Sequence, residues 1–267
     1  MLGEATPTMP ASTLSDRRVD AAAPRLSRER RQLPDGAGTT VHVARFDRAA
    51  FALSVAALDP CATLVEWCAT VGAPHAIVGG FYMRPGGPAL GELWIDGEAL
   101  PTVPFDAPWH RCRACVHADA DDLVLRAREE IEGSPRGDLL QAGPMLVREG
   151  QVTVHPGVDA EGFSAGSRQF DSDISAGRYP RAALGLAGRD LVAVACDGRA
   201  DDEAGMTMTE LAETMAALGC EDAMNLDGGG SASLVIDGKL VNTPREEHGR
   251  ELRGGRAIAT ALRVSPR

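Results

Sequence analysis

Twice in this 267-residue chain an apolar run of strand length stops at Asp-Gly, and a second short run follows. The two segments are Leu93-Trp94-Ile95-Asp96-Gly97 and Leu234-Val235-Ile236-Asp237-Gly238-Lys239-Leu240-Val241. Asp-Gly supplies the positive φ angles that a two-residue hairpin turn requires, so each segment commits the chain to fold back on itself. Met145-Leu146-Val147 and Gln151-Val152-Thr153-Val154 read as a third hairpin about Glu149-Gly150. Chains reversed by hairpins pair their strands antiparallel, which argues against a doubly wound sheet. The expected class is α+β: a mixed or antiparallel sheet with hairpins and a few packed helices, in one domain.

The remaining elements follow from periodicity. Residues 39–46 alternate as a half-buried strand, residues 51–55 suit a second, and residues 75–78 suit a short third that leads into Gly79-Gly80-Phe81-Tyr82. Residues 62–68 read as a helix stopped by Gly72 and Pro74. The best-defined helix places Met208, Leu211, Ala212, Met215 and Leu218 on one face. Thr207 and Glu210 make a capping-box pair at its start, and Gly219 is placed to end it. Residues 1–34 hold no sustained apolar period and are expected to form a mobile tail, leaving residues 35–267 as the folded unit. Residues 155–179, rich in Gly, Ser and Asp, are expected to form a long surface loop.

Charge narrows the functions. At a net −11 the chain is poorly suited to nucleic acid or an anionic membrane, although a few local arginines can still hold a small anion. The first thirty residues contain no apolar stretch like that of a signal peptide, and no run of about 18 apolar residues is long enough to span a bilayer. Without a secretion signal, the six cysteines are expected to be reduced thiols in a cytoplasmic protein. His110, Cys112, Cys115 and His117 lie close together, but a zinc site needs a second, separated ligand pair. No metal and no cofactor are therefore expected, and the sequence does not define an oligomeric state.

The chemistry-bearing residues sit in the C-terminal third. Residues 191–196 form an apolar run of strand length ending in Asp197-Gly198-Arg199, and residues 223–226 form another that runs into Asp227-Gly228-Gly229-Gly230-Ser231. Polar groups emerging from the ends of buried strands are where a site is commonly assembled. Three consecutive glycines carry a large entropic cost. They make either a plain flexible turn or a backbone that approaches a ligand with N–H groups aimed at an anion. The flanking Asn225, Asp227 and Ser231 favour the second reading. The run lacks the Gly-Lys-Ser/Thr of a P-loop and the spacing of a dinucleotide fingerprint.

Asn225 to Ser231 resembles the NLDGGGS signature of the phosphodiester glycosidase family. Weaker resemblances follow in family order: Ala76-Ile77-Val78-Gly79-Gly80-Phe81-Tyr82, Gly143-Pro144-Met145-Leu146, Pro180-Arg181-Ala182-Ala183-Leu184-Gly185, Asp197-Gly198-Arg199 and Gly205-Met206-Thr207-Met208-Thr209-Glu210-Leu211. The resemblance implies hydrolysis of a sugar-1-phosphodiester by C1–O cleavage, with a small sugar-phosphate as substrate. Phosphate leaves readily, so such a site needs a carboxylate and anion stabilisation more than a strong general acid. On this resemblance Asp227 or Asp197 is base or nucleophile, Arg181 and Arg199 hold the phosphate, and Asn225 positions the sugar or a carboxylate. Gly79, Gly80, Phe81, Gly205, Thr207, Gly228, Gly229, Gly230 and Ser231 are expected around the substrate. Val78 stands where the family usually has Asn, and Ala182 where it usually has Thr. These exchanges leave two alternatives on the same fold: a non-catalytic glycan or nucleotide-sugar binding module, and a transglycosidase.

Overall fold

The computed structural model describes residues 23–120, 122–163 and 177–267. The first half of the chain runs β1 (Arg25–Gln32), β2 (Gly38–Asp47), β3 (Phe51–Ala62), α1 (Leu64–Val71), β4 (His75–Val78), β5 (Leu93–Ile95), β6 (Glu98–Ala99), α2 (Trp109–Cys112), β7 (Ala114–Ala118) and β8 (Leu123–Ala127). The second half runs β9 (Asp138–Gln141), β10 (Met145–Arg148), β11 (Gln151–Val152), β12 (Arg181–Ala187), β13 (Asp190–Cys196), α3 (Met208–Ala217), β14 (Asp222–Asn225), β15 (Leu234–Ile236), β16 (Lys239–Leu240) and β17 (Ile258–Pro266). The strands form a seven-stranded sheet in the order β1-β2-β13-β12-β14-β10-β11 and two five-stranded sheets, β16-β15-β4-β17-β3 and β6-β5-β9-β7-β8. All strand pairings are antiparallel, as the hairpins predict. At the three hairpin turns Asp96, Glu149 and Asp237 take φ of 52°, 50° and 50°, and the glycines after them are positive as well.

Both faces of the seven-stranded sheet are covered, which explains why β13 reads as continuously apolar. Leu191, Ala193 and Ala195 face the main core, which they share with Ile77 of β4, Leu262 of β17 and Leu140 of β9. Val192, Val194 and Cys196 face the opposite way, under Leu211, Ala212 and Met215 of α3. Thr207 caps α3 as expected: its hydroxyl accepts the Glu210 N–H at 3.1 Å, and the Glu210 carboxylate accepts the Thr207 N–H at 2.9 Å. Gly72 closes α1 in the left-handed region at φ 66°.

One expectation needs correction, and another falls partly outside the described residues. Arg25–Gln32 is not tail but an edge strand in full register with β2, from Arg25 opposite Arg45 to Gln32 opposite Gly38. Its side chains are almost all exposed, so main-chain bonds rather than apolar burial hold it, and no hydrophobic pattern marks it. The rest of the expected tail, residues 1–22, lies outside the described residues. Of the expected loop, residues 155–163 and 177–179 carry no helix or strand run, while residues 164–176 lie outside the described residues.

Candidate active site

The site forms where the seven-stranded sheet meets the sheet containing β4 and β17. Beyond β14 the chain crosses between them: the Leu226 N–H donates to the Ala182 carbonyl at 2.9 Å, and the Asp227 N–H to the Gly79 carbonyl at 3.0 Å. Gly79 must be glycine, because a Cβ there would stand 2.5 Å from the Thr260 hydroxyl. The Thr260 hydroxyl in turn accepts the Gly80 N–H at 2.9 Å. Gly79 and Gly80 thus fix the position of Asp227 through the backbone. Phe81 points into the core against Phe105 and Phe163, away from the role expected of it.

Each glycine after Asp227 has its own steric reason. A Cβ on Gly228 would lie 3.0 Å from the Pro180 carbonyl oxygen, and one on Gly230 would lie 2.9 Å from both Glu246 and Leu252. Gly229 takes φ of 60°. Three of the donors expected to form an anion cradle are spent within the fold. The Gly228 N–H goes to the Asp227 carboxylate at 2.8 Å, the Gly229 N–H to the Pro180 carbonyl at 2.8 Å, and the Ser231 N–H to the Gly228 carbonyl at 3.1 Å. Glycine serves close approach in this turn.

Positive charge comes instead from side chains. Arg256 grips Glu246 with two nitrogens, at 2.7 and 2.6 Å, and its third lies 3.4 Å from the Ser231 hydroxyl. Arg199 packs on Gly229, with a nitrogen 3.9 Å from Glu246 and its guanidinium 5.2 Å from the centre of the Tyr179 ring. Burial pushes the Asp227 carboxyl above the ordinary carboxylate range, while the Ser231 hydroxyl and the charges of Arg256 and Arg84 pull the other way. Tyr82 closes the same cluster. Its hydroxyl donates to the Ala257 carbonyl at 2.7 Å, and burial beside Asp227 holds its phenol above the usual value.

Asp197 and Asp227 part company here. One Asp197 oxygen lies 3.1 Å from His42 Nε2, and the other accepts the Thr243 N–H at 2.7 Å. Both oxygens are therefore engaged in tying β2 and the loop after β16 to the end of β13. Arg181 is also spent in the fold: it is 3% exposed and donates to the carbonyls of Met206, at 3.0 Å, and Gly177, at 3.3 Å. Gly205, at φ 79°, lets the Tyr179 backbone approach to where a Cβ would stand 2.5 Å away. Together with the helix-capping Thr207, these residues support the site's frame instead of lining it. Asn225 donates to the carbonyls of Gly143, at 3.0 Å, and Leu226, at 2.7 Å, and thereby holds the approach to Asp227. Its Oδ1 is buried without a hydrogen-bond partner among the described residues.

Val78 and Ala182 are both fully buried strand residues, so the apolar exchanges fit the core they enter. Sequence reasoning missed Arg256, Glu246 and Tyr82. Only Tyr82 carried a signal, as the last residue of the Gly79-Gly80-Phe81-Tyr82 segment. A partly enclosed carboxylate with guanidiniums nearby can hold an anionic group next to a reacting carboxylate.

Comparison with known proteins fixes the lineage. The profile of the phosphodiester glycosidase family matches residues 72–265, and the chain belongs to that family. The mouse N-acetylglucosamine-1-phosphodiester alpha-N-acetylglucosaminidase is 24% identical over 192 residues, which is 69% of this chain and 36% of the mouse protein. The bovine protein of the same name is 28% identical over 193 residues, 69% of this chain and 35% of its own length. The chain thus spans about a third of the length of these relatives. In structure it is similar to the zebrafish N-acetylglucosamine-1-phosphodiester alpha-N-acetylglucosaminidase catalytic domain, described as auto-inhibited by its pro-peptide. That match has a TM-score of 0.70 at 20% identity, over 94% of this chain and 85% of the other. A hypothetical protein from Synechocystis matches with a TM-score of 0.60 at 16% identity, over 93% of this chain and 64% of the other.

Proposed function

We propose that this chain hydrolyses a sugar-1-phosphodiester by cleaving C1–O, with Asp227 as the reacting carboxylate and Arg199 beside the departing phosphate. The observation that carries this reading is the Asp227 turn itself, a carboxylate pinned between two sheets with the Arg256 guanidinium on Ser231 and Arg199 against Gly229. Cleavage at C1 builds positive charge on the sugar ring, which an adjacent carboxylate stabilises or captures, and negative charge on the phosphate, which a guanidinium fork holds. The names of the mouse and bovine relatives support the same substrate class. Arg199 also borders an open depression of about 780 Å³ with Tyr179, Asp201 and His248, which gives the phosphate-bearing group room to extend. The apolar exchanges at Val78 and Ala182 are core residues and lend no weight to a non-catalytic module.

A panel of sugar-1-phosphodiesters, assayed beside aryl glycosides of the same sugars, tests this. Arg199→Lys keeps the charge but loses the fork. It is expected to lower kcat/KM on the phosphodiester about tenfold or more while changing the aryl glycoside only about two- to threefold. Equal losses on both substrates, or no turnover of any phosphodiester, would contradict the proposal.

A further inference from the structure

Glu246 and Arg256 lie outside every motif of the sequence, yet they are built tightly around the Asp227 turn. Residues 244–252 close on themselves: the Glu246 N–H donates to the Arg250 carbonyl at 2.8 Å and the Leu252 N–H to the Pro244 carbonyl at 3.0 Å. This small loop presses Glu246 and Leu252 into the space that a Gly230 side chain would fill. From the other side, the Arg256 N–H donates to the Gly230 carbonyl at 2.9 Å. The third glycine of the run is thus held on both sides, by the loop that carries Glu246 and by the backbone of Arg256.

A guanidinium is a rigid plane, so holding two of its nitrogens fixes where the third one points. Glu246 takes Nε at 2.7 Å and Nη2 at 2.6 Å, which leaves Nη1 on Ser231 at 3.4 Å. We propose that Glu246 is a positioning residue: by gripping Arg256 it keeps that guanidinium on Ser231 and its charge against the Asp227 carboxylate. The catalytic consequence rests on the reading of Asp227 given above, but the electrostatic consequence does not. Burial raises the Asp227 carboxyl, and the Ser231 hydrogen bond, then the charge of Arg256, the Gly228 N–H and the charge of Arg84 lower it; Tyr82 is its titratable neighbour. Arg199 and Arg84 also face Glu246, and the acidic neighbours of Arg256 are Glu246, Asp227 and Tyr82.

The competing role for Glu246, a simple negative charge near Asp227, predicts the opposite sign. Removing a like charge lowers a carboxyl pKa, whereas releasing a favourable cation raises it. Carbon-13 NMR titration of the aspartate carboxyls, with Asp227→Asn identifying the resonance, reads this directly and needs no substrate. Arg256→Gln is expected to raise the Asp227 titration, and Glu246→Gln to raise it in the same direction. Glu246→Asp keeps the negative charge and shortens the grip, so it too is expected to raise it. A downward or absent shift in Glu246→Gln and Glu246→Asp would overturn the proposal, as would an unmoved titration in Arg256→Gln. Where turnover is measured, Glu246→Gln should lower kcat about ten- to hundredfold with little change in KM, the cost of a misplaced group. Because the titration is read without substrate, failure of the positioning role and failure of the glycosidase reading give different results.

Discussion

Asp227→Asn is expected to lower kcat/KM on a sugar-1-phosphodiester by about a thousandfold or more, as loss of a reacting carboxylate commonly does. Its melting temperature should stay the same or rise. The sign follows from burial, which holds the Asp227 carboxyl above the ordinary carboxylate range. A carboxyl raised on folding favours the fold while protonated, and that stability is lost as pH rises through the folded-state value. Asn never ionises, so its advantage over Asp should grow with pH across that window. Asn also keeps an oxygen for the Gly228 N–H, which Asp227 accepts at 2.8 Å. Retained turnover in a folded Asp227→Asn protein would remove this residue from the chemistry.

The second large effect is on stability, at Asp197. Asp197→Ala strands the Thr243 N–H and His42, both of which its carboxylate serves inside the fold. Stranding buried partners of a charged group costs about 3 kcal/mol, which lowers the melting temperature by roughly 5–10 °C in a domain of this size. Asp197→Asn keeps the Thr243 contact and should recover much of that loss, with turnover within about tenfold of the parent. A large loss of turnover in a stable Asp197→Asn protein would reverse the assignment of the two carboxylates. Differential scanning fluorimetry beside steady-state kinetics measures both quantities on the same samples.

These two aspartates show where sequence reasoning reaches its limit. Each ends an apolar strand and precedes glycine, and locally only the glycine run after Asp227 sets them apart. Their partners separate them further: His42 and Thr243 for Asp197, and Gly79, Ser231 and Arg256 for Asp227. Features set within a few residues were legible: the three hairpin turns by their positive φ angles, α3 by its stripe and capping box, and the Asp227 turn by its glycines. β1 was not legible, because an exposed strand held by ladder bonds has no apolar period to read. β17 could have been found, since Ile258-Ala259-Thr260-Ala261-Leu262 is a run of strand length that is buried throughout. It pairs with β3 and β4, which lie near the other end of the chain. Arg181 and Arg256 exchanged places for the same reason. Arg181 lies in a family-like segment but donates to backbone carbonyls, while Arg256 has no motif yet carries the charge beside Asp227.

The central claim, cleavage of the sugar C1–O bond in a phosphodiester, is tested most directly by turnover in water enriched in oxygen-18. Attack at the anomeric carbon places the label in the released sugar and leaves the phosphate monoester unlabelled. Mass spectrometry of both products reads the outcome in one experiment. Label in the sugar, lost together with activity in Asp227→Asn, is the result predicted here. Label in the phosphate would mean attack at phosphorus, and would contradict the role assigned to Asp227.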